Sequence, residues 1–129
     1  MLIPVCSFLI ALTIFYLLYG HQSVVSTRRL YRADHALLLS ESRALLAHHR
    51  EKVATGVEAP EVNIGPDTPE YDKLPATIRC ISPVHVTLEV DRLVMTLGVW
   101  PRRYAIVTED TSEMPVDAQE VDEGIWLAH

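Results

Sequence analysis

The sequence predicts an α+β protein: an N-terminal transmembrane helix, a juxtamembrane helix, and a small antiparallel β-meander of three or four strands with a short helix. Three observations carry that expectation. Leu2–Tyr19 is apolar and holds no charged residue, Ser26–Thr55 contains neither Gly nor Pro, and His85–Val90 alternates apolar with polar residues, with Leu93, Met95 and Leu97 continuing the apolar face. The matching divisions are an anchor over 1–20, a basic collar and helix over 21–56, a proline-rich linker over 57–73 and a β-rich domain over 74–129.

The apolar run sets the class. Eighteen residues in a helix rise about 27 Å, close to the roughly 30 Å of bilayer hydrocarbon. Leu, Ile, Phe and Val each favour insertion by a few tenths of a kcal/mol, and together they outweigh the mild costs of Ser7 and Thr13. Pro4 falls in the first turn, where its missing N–H is harmless. Tyr16 and Tyr19 near the far end suit a headgroup interface. A cleaved leader is the competing reading, but the segment before the run is Met1 alone, and Leu18-Tyr19-Gly20 is a poor small-x-small cleavage site. The expectation is therefore a retained single-pass anchor.

Charge is divided unevenly along the chain. Residues 1–56 carry six basic and three acidic side chains, a net of +3, whereas 57–129 carry five and fourteen, a net of −9. Arg28, Arg29 and Arg32 follow the apolar run and none precedes it, so the positive-inside rule places the C-terminal part in the cytoplasm. A basic collar beside an apolar run, with an acidic part beyond it, points to membrane lipid and away from nucleic acid. Two cysteines, one in the run and one near residue 80, make no disulfide framework, which fits a reducing compartment.

Ser26–Thr55 reads as one helix, stopped at Gly56. Its apolar stripe of Leu38, Leu45 and Leu46 is expected to pack on the chain's own distal domain, with a second copy meeting at those residues as the alternative. Gly56–Leu74, with Pro60, Pro66 and Pro69, reads as an extended linker. Pro75 opens a short helix that ends before Pro83. Val86, Leu88 and Val90 then share a face with Leu93, Met95 and Leu97 when residue 88 is set opposite 95, with Asp91-Arg92 as the turn. Tyr104–Thr108 and Ile125–Leu127 read as the third and fourth strands. The acidic segment between them, Glu109–Gly124, reads as a solvated loop.

Chemistry-bearing motifs are sparse. His35 and His48 stand thirteen residues apart, about 20 Å along a helix, and adjacent His48 and His49 point about 100° apart. All three are expected to face solvent or headgroups, and Cys80 is expected to be a buried structural thiol. No nucleophile elbow, phosphate loop, dinucleotide fingerprint or calcium loop occurs, so no catalytic residue, cofactor or metal is assigned. The segment Trp100-Pro101-Arg102-Arg103-Tyr104 is the most suggestive. Two arginines between aromatics can grip anionic headgroups or an acidic partner. With Arg28, Arg29 and Arg32, Trp100, Arg102, Arg103 and Tyr104 are the candidate contacts. The reading is a single-pass membrane-anchored interaction or scaffold module with a protein partner. The alternative is a small membrane-bound enzyme or metal-handling accessory subunit.

Overall fold

The computed structural model describes residues 2–99, 102–109 and 117–129. Among them are four α-helices and six strands in one antiparallel sheet, so the α+β class holds. Helix α1 runs over Leu2–Phe15, and a π-helical turn over Tyr16–Gly20 joins it to α2, His21–Arg32. In that turn the His21 N–H donates to the Tyr16 carbonyl, one residue further back than in an α-helix. The Tyr16 ring lies over Gly20, where a β-carbon would fall 2.8 Å from it. No single helix among the described residues is long and apolar enough to cross a membrane. Ile3–Leu18 and α2 satisfy length and composition only as a pair, bent by 41°.

Helix α2 lies on the sheet. Ser23, Ser26 and Leu30 form its buried face, and Arg28, Arg29 and Arg32 stand exposed on the opposite side. The expected single helix over 26–55 is in fact two. Ala33 is extended, and Asp34 caps α3 (His35–Ala54) by accepting the Leu37 N–H at 3.2 Å. Length explains the break. A straight helix over 21–54 would be about 51 Å long, against about 27 Å for an eight-residue strand. Turning at Asp34 keeps Leu30, Leu38 and Leu46 on one core. The predicted stop at Gly56 is met: Gly56 has φ +75°. Its N–H reaches the Val53 carbonyl, and the Val57 N–H reaches that of Lys52, closing a Schellman motif.

Residues 57–73 do not run as a linker. Val62–Ile64 forms the edge strand β1, Ile64 is buried, and Tyr71–Lys73 makes a 3-10 turn. Prolines on both sides hide so short a strand from any periodicity, and an edge position tolerates them. Helix α4, Ala76–Ile81, opens after Pro75 as expected and buries Ile78 and Ile81. Cys80 lies between those two on the outward side and is exposed, not buried.

Strands β2 (His85–Leu88), β3 (Arg92–Val99), β4 (Arg102–Thr108), β5 (Ala118–Asp122) and β6 (Ile125–Ala128) complete the sheet, in the order β1-β2-β3-β4-β6-β5. It is not a simple meander, because β6 inserts between β4 and β5. The supposed acidic loop thus contributes an edge strand, with Val121 half-buried and Glu120 and Asp122 exposed. The β2–β3 hairpin has the expected faces but a register displaced by two residues: Leu88 pairs with Leu93, and Val86 with Met95. Alternation has period two, so it cannot tell registers that differ by an even number. The turn decides. Glu89 and Arg92 close it through a backbone hydrogen bond and a 2.6 Å ion pair, which leaves Val90 exposed at the tip.

One core forms between the helices and one sheet face, with Leu30, Leu38, Leu46, Ile78 and Ile81 against Val86, Leu88, Leu93, Met95, Ala105 and Leu127. Leu38 and Leu46 are wholly covered there and Leu45 partly, so the stripe packs on the chain's own sheet, as expected. Leu88→Asp should therefore unfold the domain, because an unpartnered buried carboxylate costs several kcal/mol. Thr87→Asp, on the opposite face and half-buried, should be tolerated. Urea denaturation compares the two; equal tolerance would reverse the face assignment.

Candidate functional site

The end of the sheet where α1 departs brings a guanidinium, an imidazole, hydroxyls and apolar side chains together. Four pieces of chain meet there: the start of α2, the end of α4, the loop before Tyr71, and the ends of β2, β3 and β4. Helix α2 is held by its small residues. Gly98 lies under Ser23 so closely that a β-carbon on Gly98 would fall 2.3 Å from the Ser23 β-carbon and 2.7 Å from its α-carbon. Gln22 Nε2 and Ser26 Oγ both donate to the Ser82 carbonyl, at 2.9 and 3.2 Å, where Ser82 ends α4 in the left-handed conformation. Backbone contact and hydrogen bonds together fix α2, and through the π-helical turn they set where α1 leaves the domain.

Two hollows flank this junction. A groove of about 400 Å³ is walled by Leu18, Gln22, Tyr71, Pro83, Val84 and Val99, among others. On the outer sheet face, a cleft of about 260 Å³ is lined by His85, Thr96, Gly98, Val99, Arg102 and Tyr104. Val99 belongs to both and is 57 % exposed, an apolar wedge between them. In the cleft, Thr96 Oγ1 and His85 Nε2 are hydrogen-bonded at 3.0 Å. A β-bulge between Thr96 and Gly98 shifts the ladder there, and pairing resumes with Gly98 opposite Arg103 and Val99 opposite Arg102.

The sequence-predicted contacts divide across the sheet. Arg102 and Tyr104 share the cleft, two residues apart on β4, whereas Arg103 points to the helix side with Nη1 3.4 Å from Thr27 Oγ1. Trp100 lies outside the described residues. Arg28, Arg29 and Arg32 come about 12–18 Å of helix rise beyond Gly20, on the domain's flank and clear of the cleft. His85 and Thr96 were not anticipated as a pair. Placing 88 opposite 95 sets His85 across from Gly98; the true register sets it across from Thr96. The outward face of His85, however, is visible in the alternation.

Two of the other histidines, His35 and His49, are structural pins and not surface groups, whereas His48 is exposed as expected. His49 is 2 % exposed, with Nδ1 2.9 Å from Glu58 Oε2 and Nε2 2.9 Å from the Pro60 carbonyl. His35 is half-buried and ties the Leu30 carbonyl to Asp122 on β5, at 2.8 and 2.9 Å. The Asp122 carboxyl is held below its ordinary range, first by the Glu123 backbone N–H and then by His35. Among the described residues no three His, Cys, Asp or Glu side chains converge on a point where a metal could sit.

Tyr71, in the groove wall, donates to the Pro83 carbonyl at 2.8 Å. Its phenol is pushed above its ordinary value near 10, first by burial and then by the Asp72 carboxylate. The fold favours the neutral phenol. Its contribution to stability is whole below the unfolded value and is lost as pH rises through the folded one. Tyrosinate absorbance should thus show a late-titrating group that vanishes in Tyr71→Phe; identical titrations would contradict the buried donor.

Comparison with protein-family models, with curated proteins and with solved structures finds no match to this chain. Its function must be argued from its own geometry.

Proposed function

We propose that this chain is a single-pass membrane-anchored interaction module, with Leu2–Tyr19 in the bilayer and residues 21–129 as a folded domain held against the cytoplasmic surface. One observation carries the reading. Helix α1 exposes large apolar side chains in every direction, among them Ile3, Phe8, Leu9, Ile10, Leu12 and Ile14. A helix that is apolar all round needs an apolar surrounding on every side, and the domain supplies none. Bilayer hydrocarbon does. Sixteen residues, Ile3–Leu18, rise about 24 Å, short of the hydrocarbon thickness by a few ångströms that local thinning accommodates at a fraction of a kcal/mol each.

The bend gives the division of labour. Helix α1 is the lipid-facing segment, while α2, turned by 41° and docked on the sheet, belongs to the domain. No flexible spacer intervenes, so the anchor presents the sheet in one orientation. Such a tether suits a module whose partners, membrane lipid and a further protein, meet it at the membrane plane. Arg28, Arg29 and Arg32 favour the cytoplasmic side, since they fall within the distance over which basic residues set topology.

Alkaline carbonate washing should leave the protein in the membrane pellet with Met1 intact. A reporter active only outside the cytoplasm, fused after His129, should be silent. A soluble product starting near His21, or a strongly active reporter, would overturn the anchor or the orientation respectively.

A further inference from the structure

We propose that the cleft between His85, Thr96, Arg102 and Tyr104 binds the phosphate of an anionic lipid headgroup, a second membrane contact that rests on the anchored reading above. Its position is the first argument. Leu18, the last exposed aliphatic residue of the apolar run, shares the wall of the 400 Å³ groove with Val99. Val99 in turn lines the cleft and pairs with Arg102 across the β3–β4 hairpin. With α1 in the bilayer, Leu18 stands at the hydrocarbon boundary. Val99 stands beside it, and the Arg102 guanidinium lies one strand spacing further, at the level of lipid phosphates.

Composition is the second argument. Residues 57–129 carry a net charge of −9, a surface that repels anionic lipid. Yet the described lining of this cleft contains no carboxylate. It presents a guanidinium, an imidazole and two hydroxyls. A guanidinium offers up to five N–H donors in a planar fork that matches a phosphate's oxygens. The Tyr104 hydroxyl and the Thr96–His85 pair are donors on the same face. A cleft of about 260 Å³ admits a phosphate and its ester oxygens but not a whole lipid, whose chains would run back past Val99 toward Leu18. An apolar wedge beside a basic, hydroxyl-lined hollow is what an interfacial headgroup site requires.

The full chain, reconstituted into vesicles of zwitterionic lipid mixed with phosphatidic acid or phosphatidylglycerol and then purified in mild detergent, tests this through the lipid it retains. Wild-type protein should hold anionic over zwitterionic lipid well above the bulk ratio. Arg102→Gln should lower that enrichment about fivefold, the weight of one basic side chain at an anionic surface. Arg102 is exposed and has no role in the core, so its variant should fold; Lys52→Gln, on the last turn of α3, should retain the enrichment. Lipid at the bulk ratio, or enrichment untouched by Arg102→Gln, overturns the proposal. Inorganic phosphate, compared with chloride at equal ionic strength, should compete for the site, and separates the two sources of the anion: Arg102-dependent binding of phosphate by a protein that shows no lipid enrichment would make the ligand a free phosphate, and would overturn the lipid assignment. Failure of the anchor appears separately, as protein in the carbonate supernatant. Binding of that soluble protein to added anionic vesicles, lost in Arg102→Gln, would still support the cleft, and no difference between the two proteins would overturn it.

Discussion

Gly98→Val will release α2 from the sheet and lower the thermal midpoint of the domain by more than ten degrees. On strand propensity alone the sign is the opposite, because valine is a good strand former and glycine a poor one. Contact decides against propensity here. A β-carbon at Gly98 would meet the Ser23 β-carbon at 2.3 Å, its α-carbon at 2.7 Å and its hydroxyl at 2.8 Å. Two of those three atoms leave with the Ser23 side chain, but the α-carbon is helix backbone and cannot rotate away. The helix itself must move, and with it Ser26, Leu30 and the hydrogen bonds to the Ser82 carbonyl. Overpacking of a rigid contact costs about 1–3 kcal/mol and sometimes more. At the upper end, a domain of this size loses roughly 12–24 °C. Ser23→Gly in the same chain should restore part of the loss and not all of it, since the 2.7 Å contact persists. Thermal unfolding of the full chain in detergent, with amide exchange of α2, measures both. A Gly98→Val protein as stable as the parent would mean that α2 is not seated on β3.

That contact marks the boundary of what sequence reading reaches. Elements with strong local signals were legible: the apolar run is helical, Gly56 stops α3, Pro75 opens α4, and strands stand at His85–Leu88, Arg92–Val99, Arg102–Thr108 and Ile125–Ala128. What escaped depends on partners distant in sequence. The helix break at Asp34 has a capping residue in plain view, but its necessity follows from the width of the sheet. Strand β1 exists because β2 offers an edge, and Val62–Ile64 alone has too few residues to declare itself. Strand β5 sits in a run whose charges argue for solvent. Its backbone pairs with β6 all the same, with Val121 turned inward.

The candidate site shows the same division. Arg102 and Tyr104 were legible as chemistry-bearing residues, and their separation from Arg103 follows from strand alternation once β4 is granted. His85 and Thr96 were hidden by a two-residue slip in register, which leaves every face correct while exchanging every cross-strand neighbour. Faces are written in one strand, whereas sites are written across several. The Ser23–Gly98 contact lay further out of reach, for nothing in either local sequence says that a helix and a strand touch there.

Residues 72–129 expressed alone should fail to fold, while residues 21–129 should unfold cooperatively. The shorter fragment keeps β2 to β6 and α4 but loses α2, α3 and β1. Gone with them are Leu30, Leu38 and Leu46, each fully buried, together with Ile64. Burial of one such side chain stabilises by about 1.5–3 kcal/mol, so the three leucines alone account for roughly 5–9 kcal/mol. The whole stability of a domain is only about 5–15 kcal/mol, and small domains lie at the low end. Nothing remains to offset the loss, since a chain of this length buries only about 60 % of its unfolded surface even when well packed. The uncovered sheet would also expose Leu93, Met95 and Val107, now at 0 %, as a continuous apolar face inviting aggregation. Circular dichroism and thermal unfolding of the two fragments at equal concentration give the comparison, and Leu46→Ala in the longer one should cost about 2–5 kcal/mol. Identical midpoints, or a harmless Leu46→Ala, would mean that α3 does not cover the sheet. The apolar side chains of α3 would then be free to meet another surface, and the core would have to be built without them.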